Sequence, residues 1–425
     1  MNFELDLPLE HTRFGTDNPF YVRRPGDPAA RLYEELLGPF REPPKLFFSG
    51  HRGCGKSTEL ERLAVDRQIL AQYWPIHFTI RDEGDVNNID FKDVLLAISG
   101  RLYRTYRDYK QDGFPDQLEK ELNTWRGTVV EEITRGPRLK EAEISAEFSS
   151  SFFQELAGPL SVFFPKLSAK MKLEPKTRQL VRQVIERGVT GLIDQINLLA
   201  TTIEANEKRT PLILIDDLDK IDLASAKEMF FHHREPMLQP TCAIVYTVAS
   251  GLFYSFEFEA IRDRAVFLPN ISLRQRGGTG RDEIGFSTMR EFIVKRIKPD
   301  LITPAAIEGA IESSGGVFRE LARVMRAAVQ RAGQAKATHV EVDHVRRAEA
   351  EIQGEYRRLL GPEERAMLRD VHACHVLKEP SKAGRLLQIL ALLEYNDADE
   401  PWWDVHPALL SYLAEMELSG YDRPI

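Results

Sequence analysis

The stretch FFSGHRGCGKSTEL, residues 48–61, constrains the fold of this chain more than any other. Gly50-His51-Arg52-Gly53-Cys54-Gly55-Lys56-Ser57 has the spacing G-x-x-x-x-G-K-[S/T]. An apolar run, PPKLFFSG, leads into it and a helix-favouring run, STELERLAVDRQILA, leads out, so the segment reads as strand, turn and helix start. Glycines in such a turn let successive backbone N–H groups face one anionic centre. The positive end of the following helix adds to that field. The pattern predicts a phosphate site built from Gly50, His51, Arg52, Gly53, Cys54, Gly55, Lys56, Ser57 and Thr58. Lys56 is expected on the β- and γ-phosphates of ATP and Ser57 on Mg2+. Cys54 reads as a small residue that fits the turn, in preference to a thiol open to modification.

A nucleotide site of this kind needs an acidic complement, and LILIDDLDKID supplies one. Its buried strand ends in Asp216, which is expected to hold Mg2+ through water, and Asp217 follows where a carboxylate polarises an attacking water. Asp219 is the competing base, and Asp222 reads as surface charge.

Five apolar runs punctuate the first two-thirds of the chain: PPKLFFSG, YWPIHFTIRD, PLILIDD, CAIVYTVAS and AVFLPNISL. They are continuous rather than alternating, as in a parallel sheet covered by helices on both faces. With helical stretches between them, the pattern is α/β. Residues 1–280 are read as a P-loop core with a five-stranded parallel sheet, interrupted by a mostly helical insertion over about 109–208. The Phe-rich centre of that insertion, AEFSSSFFQELAGPLSVFFPKLSAKMKL, reads as a packing hairpin rather than a membrane element; a partner-binding surface is the less common alternative. Residues 281–354 form amphipathic helices and are read as a helical lid domain. Residues 355–425 read as helices followed by two strands around an acidic turn, a C-terminal winged helix.

The 425 residues carry a net charge of -8, so no global basic field is present to hold nucleic acid or an anionic membrane. From Glu355 to the C-terminus there are 8 Lys and Arg against 13 Asp and Glu, and the wing turn Asp397-Ala398-Asp399-Glu400 would face phosphates with like charge. Lys378, Lys382 and Arg385 are the residues there that could touch a DNA backbone. Trp402 and Trp403 read as core or interface anchors. Cys54, Cys242 and Cys374 show no metal or disulfide spacing, which fits a reducing, cytoplasmic setting. The N-terminus lacks the pattern of a signal peptide, and no uncharged apolar run reaches membrane-spanning length.

GHRGCGKSTEL, LILIDDLDK, AIVYTVAS, SGGVFREL and LLEYNDADEPWWDVHP together resemble the AAA+/STAND superclass of P-loop ATPases. The nearest branch is origin-recognition-like and bacterial STAND-like, often encoded in defence or regulatory operons. The resemblance implies a polar sensor at Thr247, with Ser250 the alternative, and a second sensor at Arg319 reaching from the lid to the γ-phosphate. Arg323 and Arg326 continue the face of Arg319, as solvated lid charges or as contacts to a neighbouring subunit. It implies that Tyr21, Val22 and Arg23 fold over the adenine. Arg262 or Arg264 stands where such proteins carry an arginine finger, an exposed ion pair being the alternative for either. His406 sits where a winged-helix histidine contacts ADP phosphates in STAND switches, although a packed wing histidine fits the local sequence better.

The function so implied is an ATP-binding and hydrolysing switch. Its nucleotide state would control oligomerisation, or the engagement of a separate effector protein, in a setting such as anti-phage defence. A DNA-associated ATPase of the origin-recognition or transposition-regulator type is the alternative. A scaffold that binds nucleotide without turning it over is the third, and the intact Lys56, Ser57, Asp216 and Asp217 argue against it.

Overall fold

The computed structural model describes residues 19–110, 114–135, 156, 158–277, 280–397 and 400–419. Within the core, α1 (Ala30–Leu37) precedes β1 (Lys45–Gly50), α2 (Lys56–Val65) and β2 (Tyr73–Thr79). Five long helices follow: α3 (Phe91–Tyr109), α4 (Asp116–Arg135), α5 (Leu160–Leu173), α6 (Pro175–Arg187) and α7 (Val189–Glu207). Strands β3 (Thr210–Asp216), β4 (Ala243–Ala249) and β5 (Ala265–Leu268) complete the sheet. The expected five-stranded parallel sheet is present, in the order β2-β3-β4-β1-β5.

Along β1 every residue is buried, yet the two faces differ in what they meet. Leu46 and Phe48 pack with Leu60 and Leu63 of α2 and Leu32 and Leu36 of α1. Phe47 points the other way, into the larger core with α3 and the inserted helices. A strand buried on both sides has no polar face to alternate with, which is why its sequence runs continuously apolar. The inserted helices are part of this core: Phe163 and Phe164 of α5, Val181 of α6 and Leu199 of α7 share it with Ile213 and Tyr246 of the sheet. The described end of the Phe-rich segment thus packs in the core as expected, but as the helix Leu160–Leu173 and not as a hairpin; residues 146–155 of it, with Phe152 and Phe153, lie outside the described residues.

Three expected elements are shorter than their sequence signals. The strand over YWPIHFTIRD ends at Thr79, whose side chain caps a short helix, Ile80–Glu83. The helix after the phosphate loop breaks at Asp66, whose side chain accepts hydrogen bonds from the amides of Gln68 and Ile69 and so starts a new short helix, Arg67–Gln72. An aspartate that can cap competes with helix continuation. Strand β5 stops at Leu268 because Pro269 has no amide to donate.

The second half is helical: α8 (Glu283–Val294), α9 (Pro304–Ser314), α10 (Phe318–Gln334), α11 (Val342–Leu359), α12 (Pro362–Cys374) and α13 (Pro380–Gln388). The antiparallel pair β6 (Leu392–Asp397) and β7 (Glu400–Val405) follows, then α14 (Leu410–Ser419). Helices α12 and α13 with this hairpin make the expected winged helix; residues 398 and 399 of the wing turn lie outside the described residues. One apolar core, from Met289 and Ile311 through Leu321 and Leu368 to Leu392 and Leu413, joins the lid helices to the winged helix without interruption.

Candidate functional site: a phosphate loop beneath a helical lid

Parallel pairing brings the carboxyl ends of the five strands to one edge of the sheet, where Gly50, Asp216 and Ala249 end β1, β3 and β4. Ligand sites of open α/β sheets form at such an edge. Gly53 has φ +82° in the loop after β1, and Gly55, with φ +112°, caps α2. Both angles lie where an L side chain is strained. At Gly53 the lid also closes in. The amide of Arg319 donates to the Gly53 carbonyl at 3.2 Å, and any side chain at 53 would overlap the Arg319 side chain.

Lys56 is buried, and its Nζ donates to the carbonyls of Gly50 at 2.8 Å and His51 at 3.0 Å. The same Nζ pairs with Asp219 at 2.8 Å. Burial pulls the Lys56 ammonium down, but the acidic groups around it, Asp219 foremost, together outweigh burial and the net shift is upward. The partner shows the reverse balance: burial would raise Asp219, and Lys56 holds it below the ordinary carboxylate range. Asp216 is raised, by burial first and by Asp219 next, while a hydrogen bond with the Ser57 hydroxyl opposes the rise.

Asp217 has φ +70°, and its carboxylate is held from three sides. Thr79 Oγ1 donates to it at 2.9 Å, Arg81 Nε lies 2.9 Å away, and Lys220 Nζ forms a close ion pair. Ligand oxygens of Asp216, Asp217 and Asp219 all lie within 4.8 Å of one another. Of the three, Asp216 makes no ion pair among the described residues, and it sits against Ser57. A hydroxyl and a carboxylate are hard oxygen donors of the kind Mg2+ takes while keeping several waters. The residues present therefore fit that ion, and it would relieve the raised carboxyl of Asp216.

A cavity of about 460 Å³ opens over the loop. At the phosphate end it is lined by Arg52, Gly53 to Thr58, Arg81, Asp217, Asp219 and Arg319; at the other end by Phe20, Tyr21, Val22, Phe292, Arg296 and Phe318. The second end is closed by contacts from far apart in the chain. Arg296 lies 3.7 Å from the centre of the Phe292 ring and donates to the Phe20 carbonyl at 3.0 Å, and the Phe292 and Phe318 rings are 5.2 Å apart.

The chain is similar to AAA+ proteins of the origin-recognition type. Cdc6p from Pyrobaculum aerophilum shares 10% identity at a TM-score of 0.39, over 96% of this chain and 99% of that one. The ORC2 protein of Aeropyrum pernix shares 11% at a TM-score of 0.40, over 96% and 99%. Drosophila ORC bound to DNA shares 11% at a TM-score of 0.35, over 91% and 84%. No protein-family model matches the chain, and no curated protein matches it. The likenesses are distant, and what the site can do follows from its own residues.

Several residues singled out in the sequence do not line the cavity. Arg23 is exposed and points away, and its neighbour Arg24 turns inward instead. Arg24 is buried, donates to the Cys54 carbonyl at 2.5 Å and to the Pro269 carbonyl, and lies over the Phe318 ring. Cys54 itself is buried in the apolar cluster beneath the loop. Thr247 is fully buried with its hydroxyl committed on both sides: it accepts from the Leu218 amide at 3.1 Å and donates to the Ile215 carbonyl at 3.1 Å. It thereby fixes the turn that carries Asp217 and Asp219. Ser250 is buried and also outside the cavity lining.

Arg262 pairs with Glu259 at 2.6 Å, and Arg264 lies beside Lys45 at the amino edge of the sheet, away from the phosphate loop. Arg323 pairs with Glu355, and Arg326 is exposed. His406 is packed inside the wing against Tyr356, with burial pushing it down to about 3 and its Nδ1 accepting from the Ala408 amide. His51 leaves the cavity altogether: its ring is buried between the core and the winged helix. Sequence reasoning missed Phe20, Arg24, Arg81, Lys220, Phe292 and Arg296. Only Arg81 and Lys220 carried a usable signal, each standing just beyond the carboxyl end of a strand.

Proposed function

We propose that this chain binds ATP with Mg2+ and hydrolyses it slowly, as a switch whose nucleotide state controls self-assembly or the grip on a protein partner. The observation that carries the reading is the shared cavity: Lys56 and Ser57 of the loop, Asp217 and Asp219 after β3 and Arg319 of the lid all line it, with Asp216 bonded to Ser57.

Before phosphates can be gripped, Lys56 must turn from the loop carbonyls and Asp219 into the cavity. Ser57 and Asp216 would hold the metal, which supplies charge neutralisation on the β- and γ-phosphates. Arg319 answers charge on the γ-phosphate from the lid side. Asp217 orients the attacking water, once Arg81 and Lys220 yield their hold on its carboxylate. Tyr21, Val22, Phe292 and Arg296 enclose the base between the N-terminal segment and the lid.

A DNA-associated role is the weaker reading. The three cations that could meet a DNA backbone are paired within the winged helix: Lys378 with Asp370, Lys382 with Glu379 and Arg385 with Glu364. The anti-phage setting rests on the sequence resemblance alone. Calorimetry with ATP·Mg2+ tests the binding, and phosphate release tests the turnover. Lys56→Ala is expected to abolish ATP binding; equal affinity in the variant would sink the assignment. Elution of the wild-type protein on size exclusion, with and without a non-hydrolysable analogue, tests the switch.

A further inference from the structure

His51 belongs to the phosphate loop by sequence and to the winged-helix interface by contact. Its Nε2 accepts from the amide of Glu394 on β6 at 2.9 Å, so Nδ1 carries the proton and donates to the Leu387 carbonyl at the end of α13, 3.2 Å away. The ring is completely buried, and burial pushes it down to about 3, so it is neutral, as that arrangement requires. Both ring nitrogens of a phosphate-loop residue are therefore spent on the backbone of another domain.

Residue 394 is gripped by the core from three strand ends. Beyond His51 after β1, the Tyr254 hydroxyl, just after β4, donates to the Glu394 carboxyl and accepts from Trp403 Nε1 of β7 at 3.0 Å. Asn270, just after β5, donates to the Glu394 carbonyl through its amide at 3.3 Å and through Nδ2 at 3.1 Å. Nearby, Gly251 and Gly384 let the core and α13 touch backbone to backbone. The winged helix is thus seated on the same sheet edge that holds the phosphate site.

Lys56 connects the two. In this conformation its ammonium donates to the carbonyl of His51, fixing from behind the residue whose ring holds the winged helix. A phosphate in the cavity competes for that ammonium, and Lys56 cannot satisfy both in one position.

We propose that His51 couples the phosphate loop to the winged helix: a phosphate that draws Lys56 off the His51 carbonyl loosens the winged helix on its seat, and unseating the winged helix in turn raises nucleotide affinity. This rests on the ATP-binding reading above. The reciprocity is thermodynamic, since two sites that share one equilibrium must affect each other equally. His51 is here a positioning residue, and the nucleotide contacts stay with the loop backbone, Lys56 and Ser57.

Hydrogen exchange of the full chain, with and without a non-hydrolysable ATP analogue and Mg2+, tests it, because the Glu394 amide is itself one of the bonds in question. In the wild type the analogue should speed exchange over α13 and at residue 394 by on the order of tenfold, a common size for coupling between sites. His51→Ala should exchange fast without nucleotide, gain nothing when it is added, and bind the analogue on the order of tenfold more tightly by calorimetry. A residue that merely filled space would not raise affinity when removed. His51→Gln, whose side-chain oxygen can accept from the Glu394 amide, should fall between the two, and serves if the alanine variant does not fold. Wild-type protein that binds the analogue with unchanged exchange over α13 and β6 overturns the coupling alone. Wild-type protein that binds no analogue overturns the coupling and the ATP reading together.

Discussion

Arg319 of the lid rests directly on Gly53 of the phosphate loop, its amide bonded to the Gly53 carbonyl and its side chain filling the space where any Cβ at position 53 would stand. The lid therefore senses the loop at the level of the backbone. Gly53→Ala must adopt a φ near +82° and displace Arg319 at the same time. The expected loss is about 1–3 kcal/mol, the usual cost of a strained residue at such a position. Urea unfolding measures it, and an unchanged midpoint would mean that loop and lid do not touch in solution.

Asp217 is the candidate for orienting water, and its carboxylate is surrounded by Thr79, Arg81 and Lys220. Asp217→Asn should leave ATP affinity within a few-fold and lower turnover by about 10²–10⁴-fold, the usual contribution of a positioned acid or base. Single-turnover phosphate release is the measurement. If turnover persists at the wild-type rate, the role passes to Asp219.

Arg296 closes the end of the cavity opposite the phosphate loop, against Phe292 and the Phe20 carbonyl. Burial lowers its guanidinium to about 10, which still leaves it charged at neutral pH. On the proposed reading Arg296 also faces the base, and a cation over an aromatic ring is worth about 0.5–2 kcal/mol, so Arg296→Ala should weaken ATP binding by about tenfold. Inorganic pyrophosphate, which has no base, should bind both forms equally by calorimetry.

Glu394 gives the winged-helix seat a pH dependence. Burial pushes its carboxyl up to about 8 from an ordinary 4.5, against a smaller opposing pull from the Tyr254 hydroxyl. The folded state thus holds a proton that the unfolded chain releases. Its contribution to stability is complete below about pH 4.5, shrinks as pH rises, and is lost once pH passes about 8. Glu394→Gln keeps a neutral side chain at every pH. Its unfolding midpoint should therefore fall less steeply than that of the wild type between pH 5 and about 8. Parallel curves for the two proteins would show that Glu394 does not carry the dependence.

The gathering of Lys56, Ser57 and the carboxylates after β3 at one edge was legible because motif spacing and strand direction both encode it. Arg319 was legible only through the resemblance carried by SGGVFREL, in which Gly315 and Gly316 mark a turn into a helix. Of the opposite end only Tyr21 and Val22 were legible, through the resemblance. Phe20, Phe292 and Phe318 come from three separated segments, and nothing in their local sequence distinguishes them from core residues. Thr247 illustrates a different limit: its position beside the acidic turn was readable, but not that both hydrogen bonds of its hydroxyl are made to backbone. His51 was hardest of all. Its partners are an amide and a carbonyl, groups that every residue carries, so no side-chain pattern marks where its ring will go.

The apolar core that runs unbroken from Met289 to Leu413 also governs how the molecule comes apart. Cooperative units of unfolding follow the continuity of packing, not the boundaries of motifs. The lid helices and the winged helix should therefore melt together, and the sheet with its inserted helices should melt as a separate block. Damage in the wing would then be registered as loss of the lid, and the phosphate loop would lose its cover before it lost its shape.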